Sequence, residues 1–200
     1  MTSAAPRAEA FGDPEERAKA ILAAASELLA EGGYEHLTMR AIARRSGMSA
    51  GLIYRYFADK RDVFATLLHN SQIELSEVLR TTHADSVEEF LVTVAPAILD
   101  QWVLIGRMAV PFVDRDRPLT SALAALHQST QEQFACLEEG LRRSAEAQGW
   151  QIDSSPMAIR HVWVSLMGLA ESLSVGWSEK HDTDELVRFT ARALAKGIRV

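Results

Sequence analysis

The sequence holds one cysteine, Cys136. An internal disulfide is excluded, and with it a small secreted scaffold held together by bridges. No basic, apolar, small-residue signal pattern opens the chain, so the expected location is the cytoplasm. Long apolar runs are lacking too. The strongest, near Phe90 to Ile105 and Val162 to Val175, are broken by Asp100 and Glu171 and fall short of the ~20 residues that span a bilayer. Buried helices explain them, and no membrane partner is expected.

Positive charge is also scarce overall. A net charge of -6 argues against a protein that coats nucleic acid indiscriminately, although an average can hide a local patch. Catalytic signatures are missing: there is no nucleophile elbow, no Gly-rich phosphate loop and no His-Glu-x-x-His. The six histidines show no zinc spacing, and His127 and Cys136 stand too far apart on one helix to pair as ligands. The chain is therefore not expected to be an enzyme, and neither a cofactor nor a metal is expected. No alternating apolar and polar run is bounded by hairpin turns, so no sheet is expected.

What is present is helical periodicity. Residues 1–12 lack it and read as a loose N-terminal arm. Asp13, Pro14 and Glu16 then supply an N-cap, a first-turn proline and a capping-box acid for a helix carrying Ile21, Leu22, Ala25, Leu28 and Leu29. Gly32 and Gly33 end it. Thr38 caps a second helix to about Ser46, flanked by Leu37 and Ile42 as a hydrophobic staple. Gly47 supplies a sharp turn, Ser49 caps a short third helix, and Asp59 with Asp62 opens a fourth through Val63, Leu67, Leu68, Leu75 and Val78.

Beyond a shift in composition near His83 to Asp85, the pattern stays helical. Ser86 with Glu89 starts a helix in which Pro96 is expected to make a bend. A short piece is expected around Val103 to Ala109, a long helix over Leu119 to Gln148, another from Ser155-Pro156 to about Trp177, and a last one capped by Asp182 and Glu185. The expectation is an all-α protein of about nine helices, with a helix-turn-helix domain over 13–60 and a second domain over 61–200.

The stretch GMSAGLIYRYFADKRD, beginning at Gly47, concentrates the chemistry. From Thr38 to Arg61 stand six basic residues (Arg40, Arg44, Arg45, Arg55, Lys60 and Arg61) against one acid, Asp59, leaving a net -11 on the rest of the chain. At ~100° per residue Ala50, Ile53 and Phe57 cluster on one side of the short helix, while Gly51, Tyr54 and Arg55 lie on the other. Two short helices joined by a glycine turn are the sequence form of a helix-turn-helix, whose second helix can enter the major groove. Gly51 lets DNA approach the backbone, tyrosine hydroxyls donate to phosphates, Arg55 can fork onto guanine or phosphate, and Lys60 adds charge at a helix N-terminus. Thr38 and Arg40 are placed to anchor the neighbouring phosphate strand. Arg44 and Arg45 are read as a solvated face.

The run LTMRAIARRSGMSAGLIYRYFADKRDVFATLL resembles the DNA-binding domain of TetR-family transcriptional regulators. The resemblance covers about residues 14 to 68. It implies DNA contacts at Thr38, Met39 and Arg40, at Ser49, Ala50 and Gly51, and at Tyr54, Arg55, Tyr56 and Lys60. It also implies a repressor that binds a palindromic double-stranded operator as a homodimer and lets go when a small molecule enters the C-terminal domain. A dimer follows independently from the limited reach of one recognition helix, since two half-sites about 34–36 Å apart call for a two-fold protein.

The helix from Ser155 is apolar nearly all round, and paired with the last helix it suits a four-helix dimer bundle. Trp102, Met108, Phe112, Phe134, Trp163 and Met167 can line a pocket for a partly apolar effector, with His127, His161 or Glu171 as polar anchors. The plainer reading of each of these residues is core. Hinge movement is expected at Pro96 and in the helix from Lys60. A rival of a different class is a helical protein-interaction scaffold without DNA binding, which leaves the positive patch unexplained.

Overall fold

The computed structural model describes residues 13–105, 120–174 and 180–200, and these form eight helices. They are α1 (Pro14–His36), α2 (Met39–Ser46), α3 (Ala50–Ile53), α4 (Lys60–Thr81), α5 (Val87–Ile105), α6 (Ser121–Ala147), α7 (Pro156–Ser174) and α8 (Lys180–Gly197). The fold is all-α, and its one extended contact among the described residues is an isolated antiparallel bridge between Ile152 and Arg199. There Asp153 N–H donates to the Ile198 carbonyl at 2.7 Å and Val200 N–H to the Gln151 carbonyl at 3.0 Å.

The short helix expected around Val103 to Ala109 is not separate where it is described. α5 runs through Pro96 and on to Ile105, and the rest of that piece lies outside the described residues. Among the described residues no helix is long and apolar enough to cross a membrane.

The described residues cluster into two compact units, 13–68 with 120–126, and 69–105 with 127–174 and 180–200. The division falls within α4, which gives residues 60–68 to the first unit and 69–81 to the second.

In the first unit, side-chain caps start the helices. Asp13 accepts from Glu15 N–H at 3.0 Å, and Thr38 Oγ1 accepts from Ala41 N–H at 3.1 Å. Each satisfies one of the amides that a helix N-terminus leaves without a partner. α1 is kinked at Gly33, whose φ of 68° breaks the helical path before its last residues to His36. Ile21, Ala25, Leu28, Ile42, Ile53, Val63 and Phe64 are buried in this unit. Tyr34 meets Phe64 edge to face, with ring centroids 5.9 Å apart.

The second unit is built on α5, which packs against both α7 and α8. Its core joins Leu75 and Leu79 of α4, Phe90 and Val94 of α5, Leu137 and Leu141 of α6, Val162 and Leu166 of α7, and Leu194 of α8. One glycine sets how closely helices approach. A Cβ placed on Gly140 of α6 lies 2.2 Å from the Phe90 ring, and Phe90 is fully buried. Because a packed core does not yield to an added methyl group, Gly140→Ala is expected to destabilise the protein by about 1–3 kcal/mol. Urea denaturation followed by circular dichroism measures this; a midpoint equal to that of the wild type contradicts the packing.

Candidate nucleic-acid interface

The turn between α2 and α3 is fixed by Gly47 at φ 70°, ψ 16°, the left-handed region that glycine enters without penalty. Its N–H donates to the Ala43 carbonyl, as does that of Met48, at 3.0 Å. This closes the C-terminus of α2. Ser49 then caps α3, its hydroxyl accepting from Leu52 N–H at 3.2 Å. Helical bonds continue past the four residues of α3, from Tyr54 N–H to the Ala50 carbonyl and from Phe57 N–H to the Ile53 carbonyl. Asp59 Oδ1 accepts from the N–H groups of Arg61 and Asp62, while Asp62 Oδ2 reaches back to Ala58 N–H at 3.1 Å. Two side-chain caps thus start α4 immediately after the motif.

The two sides of the recognition segment are unlike. Ile53 and Phe57 are buried, whereas Tyr54 is 56% exposed and Gly51 and Arg55 are exposed beside it. Arg40 is exposed on α2. Arg40, Tyr54 and Arg55 make no side-chain hydrogen bond or ion pair among the described residues. A Cβ built on Gly51 meets nothing within 4 Å. The protein itself therefore does not require glycine there. Thr38 and Ser49 are exposed, and because each hydroxyl accepts a backbone N–H, its own hydrogen stays available to donate outward.

Three positions differ from the sequence reading. Met39 is 8% exposed and belongs to the core; the apolar thioether is worth more buried than in water. Lys60 is half-buried, its ammonium 4.0 Å from the Tyr34 ring centroid and 3.5 Å from the Tyr34 carbonyl. It packs on an aromatic face as a cation–π pair. Arg45 is not simply solvated: it grips Glu31 through both carboxylate oxygens at 2.8 and 2.7 Å and Glu27 at 3.0 Å. The four-residue spacing of Glu27 and Glu31 on α1 was the available signal, since it places both on one helix face.

The Arg45 bonds hold the Glu31 carboxyl below its ordinary pKa, and the Glu31 and Glu27 bonds in turn raise that of Arg45. The patch is thereby sorted. Arg45 uses its charge to tie α2 to α1, whereas Arg40, Arg44 and Arg55 are exposed with no ion pair among the described residues.

The candidate effector residues are less concentrated. Phe134 and Trp163 meet edge to face, centroids 5.7 Å apart, and pack against the core that includes Met167. Trp102 lies on α5, while Met108 and Phe112 lie outside the described residues. His127, His161 and Glu171 are exposed. Charged and strongly polar side chains stay in water unless the interior offers a partner.

A capped helix, a left-handed glycine turn and a short helix presenting aromatic and basic side chains define a helix-turn-helix of the DNA-binding kind. The family model for bacterial regulatory proteins of the tetR family matches residues 21–67. HbdR of Aromatoleum sp. (strain CIB), a transcriptional regulator, is 42% identical over 73 residues, 35% of this chain and 32% of its own length. The chain thus spans about a third of that relative. AcnR of Corynebacterium glutamicum, a transcriptional repressor, is 27% identical over 92% of this chain and 97% of its own. The structure of FadR from Bacillus subtilis in complex with stearoyl-CoA superposes with a TM-score of 0.64 at 18% identity, covering 90% of this chain and 98% of that one. Residues 21–67 thus match the DNA-binding domain of the bacterial regulatory proteins of the tetR family, and the relatives that the chain resembles are transcription regulators.

Because the folded Glu31 carboxyl titrates below its unfolded value, its stabilisation is present above the ordinary carboxylate range and lost as the pH falls through the folded value. Glu31→Gln is expected to lower the melting temperature at neutral pH, with the deficit shrinking on acidification. Thermal scans of both proteins between neutral and acidic pH check this; a deficit that does not change with pH contradicts the ion pair's role.

Proposed function

We propose that the protein is a homodimeric transcriptional repressor that holds a palindromic operator with the outward face of α3 and releases it when a small molecule binds the second unit. The observation that carries the reading is the pairing of buried Ile53 and Phe57 with exposed Tyr54 and Arg55 on one short segment. The buried pair fixes the segment's orientation, so the exposed pair reaches the groove without a large entropic loss. Contacts from Thr38, Arg40, Ser49 and Tyr56 set the register on phosphates, while Arg55 and close approach at Ala50 and Gly51 read the bases. Lys60 adds positive charge near the phosphates while resting on Tyr34.

Dimerisation through α7 and α8 is supported by an exposed line on α7. Met157, His161, Val164, Gly168 and Glu171 recur at alternating four- and three-residue steps, and all five are exposed. Met157 is 73% and Val164 66% exposed, and on α8 Phe189 is 63% exposed. Gly168 has open space where a Cβ would stand. A seam of this period lets an identical helix pack closely along it.

Repression is supported by the likeness to AcnR, and an effector by the likeness to FadR, which was solved with stearoyl-CoA. The effector acts by binding more tightly to a conformation in which the two recognition segments no longer match the operator spacing.

Tyr54→Ala with Arg55→Ala is expected to weaken binding to the DNA flanking the gene by at least tenfold at fixed salt, each lost contact costing about 1–3 kcal/mol. The dimer should survive, as sedimentation would show. Equal affinity of the double variant overturns the assignment, and a wild type that binds no DNA favours an interaction scaffold instead. Gly51→Ala separates binding from folding: it is expected to raise stability by about 0.4–1 kcal/mol while weakening DNA binding in a gel shift. Unchanged DNA affinity rules out close approach at this position.

A further inference from the structure

The interior of the second unit is not uniformly apolar. Six polar side chains are buried there: Gln72, Ser76, Gln101, Ser129, Gln133 and Ser144. Ser144 bonds back to the Gly140 carbonyl of its own helix at 2.9 Å. Of the other five, Gln72, Ser129, Gln133 and Gln101 join three helices. Gln72 of α4 accepts from Ser129 of α6 and donates to Thr130 Oγ1 at 3.0 Å, and Gln133, one turn on from Ser129, donates to Gln101 Oε1 of α5 at 2.9 Å.

Two members of this band keep hydrogen-bonding capacity in reserve. Gln101 is 2% and Ser76 5% exposed, yet Gln101 Nε2 and Ser76 Oγ have no partner. Exchanging the amide orientations of Gln101 and Gln133 does not remove the surplus, because their mutual bond still uses one NH2 and one oxygen of the four groups. Native interiors rarely leave such groups unsatisfied, since removing them from water costs free energy that nothing returns. Apolar residues flank them on the same helices: Leu75 and Leu79 beside Ser76, and Ile98 beside Gln101.

The charges complete the picture. Among the described residues no Asp, Glu, Lys or Arg side chain is buried in the second unit. An ionised ligand group brought to this band would find no buried counter-charge among the described residues.

Resting on the reading of the second unit as effector-responsive, we infer that Gln101 and Ser76 are the recognition groups for the effector, and that the part of it they meet is an uncharged carbonyl or hydroxyl on an apolar body. The Gln101 amide donates to the acceptor oxygen, and the Ser76 hydroxyl donates or accepts as the ligand requires. Gln72 with Ser129 joins α4 to α6, and Gln133 with Gln101 joins α6 to α5. A site built to hydrogen-bond an oxygen rejects molecules that lack it or carry a full charge there.

Four ten-carbon probes test this on the full chain: 2-decanone and 1-decanol against decanoate and decylamine, by calorimetric titration and by the shift in melting temperature. The ketone and the alcohol are expected to bind at least about tenfold more tightly than either ion. Gln101→Leu and Ser76→Ala should each weaken the neutral probes by about tenfold, the loss of one buried hydrogen bond. Ser76→Ala carries the comparison should Gln101→Leu not fold. Ionic probes binding as tightly as the neutral pair, none of the four binding, or variants that bind the neutral probes like the wild type would each overturn the inference. A gel shift of wild type on the flanking DNA keeps the two readings apart. DNA binding without selective uptake of neutral probes sinks this inference alone, whereas neutral-probe uptake without DNA binding sinks the repressor reading and leaves the recognition site standing.

Discussion

The burial of Ile53 and Phe57 is the contact on which the interface depends. A four-residue helix has no stability of its own, because forming the first turn fixes several backbone angles for a single hydrogen bond. α3 exists because Ile53 is fully buried and Phe57 nearly so. Everything outward of that pair, from Gly51 to Tyr54 and Arg55, takes its direction from it. The glycine turn at Gly47 and the Ser49 cap bring the chain to the right starting point, and the caps from Asp59 and Asp62 carry it away.

Charge is distributed on the same plan. A basic cluster within an acidic chain would repel itself if every cation were left alone. Here Arg45 is neutralised by two α1 carboxylates and Lys60 rests on the Tyr34 ring. Two of the charges counted in the sequence therefore also hold the first unit together, while Arg40, Arg44 and Arg55 stay exposed.

The helix-turn-helix was legible because its determinants are local. Caps, a positive-φ glycine and three- or four-residue periodicity act over a few residues, and Asp13, Thr38, Gly47 and Ser49 all take the conformations that their chemistry favours. The burial of Met39 was not legible because it depends on how α1 and α2 meet. The grip of Arg45 on Glu27 and Glu31 spans 18 and 14 residues of sequence, and nothing near Arg45 announces it. The buried polar band was invisible for the same reason. Gln72 and Thr130 are 58 positions apart, and a glutamine within a helical pattern looks the same whether it faces water or a core. Polar anchors were sought instead among the histidines and Glu171, which stand on outward faces.

The central claim is that the outward side of α3 is the surface that meets DNA. Hydrogen exchange along the whole chain, with and without DNA from beside its gene, tests this most directly. The account predicts slowed exchange concentrated in the amides of residues 38–41 and 49–57, with the exposed α7 line unaffected. Slowing concentrated on α7, or none around Tyr54 and Arg55 while DNA is bound, would contradict it.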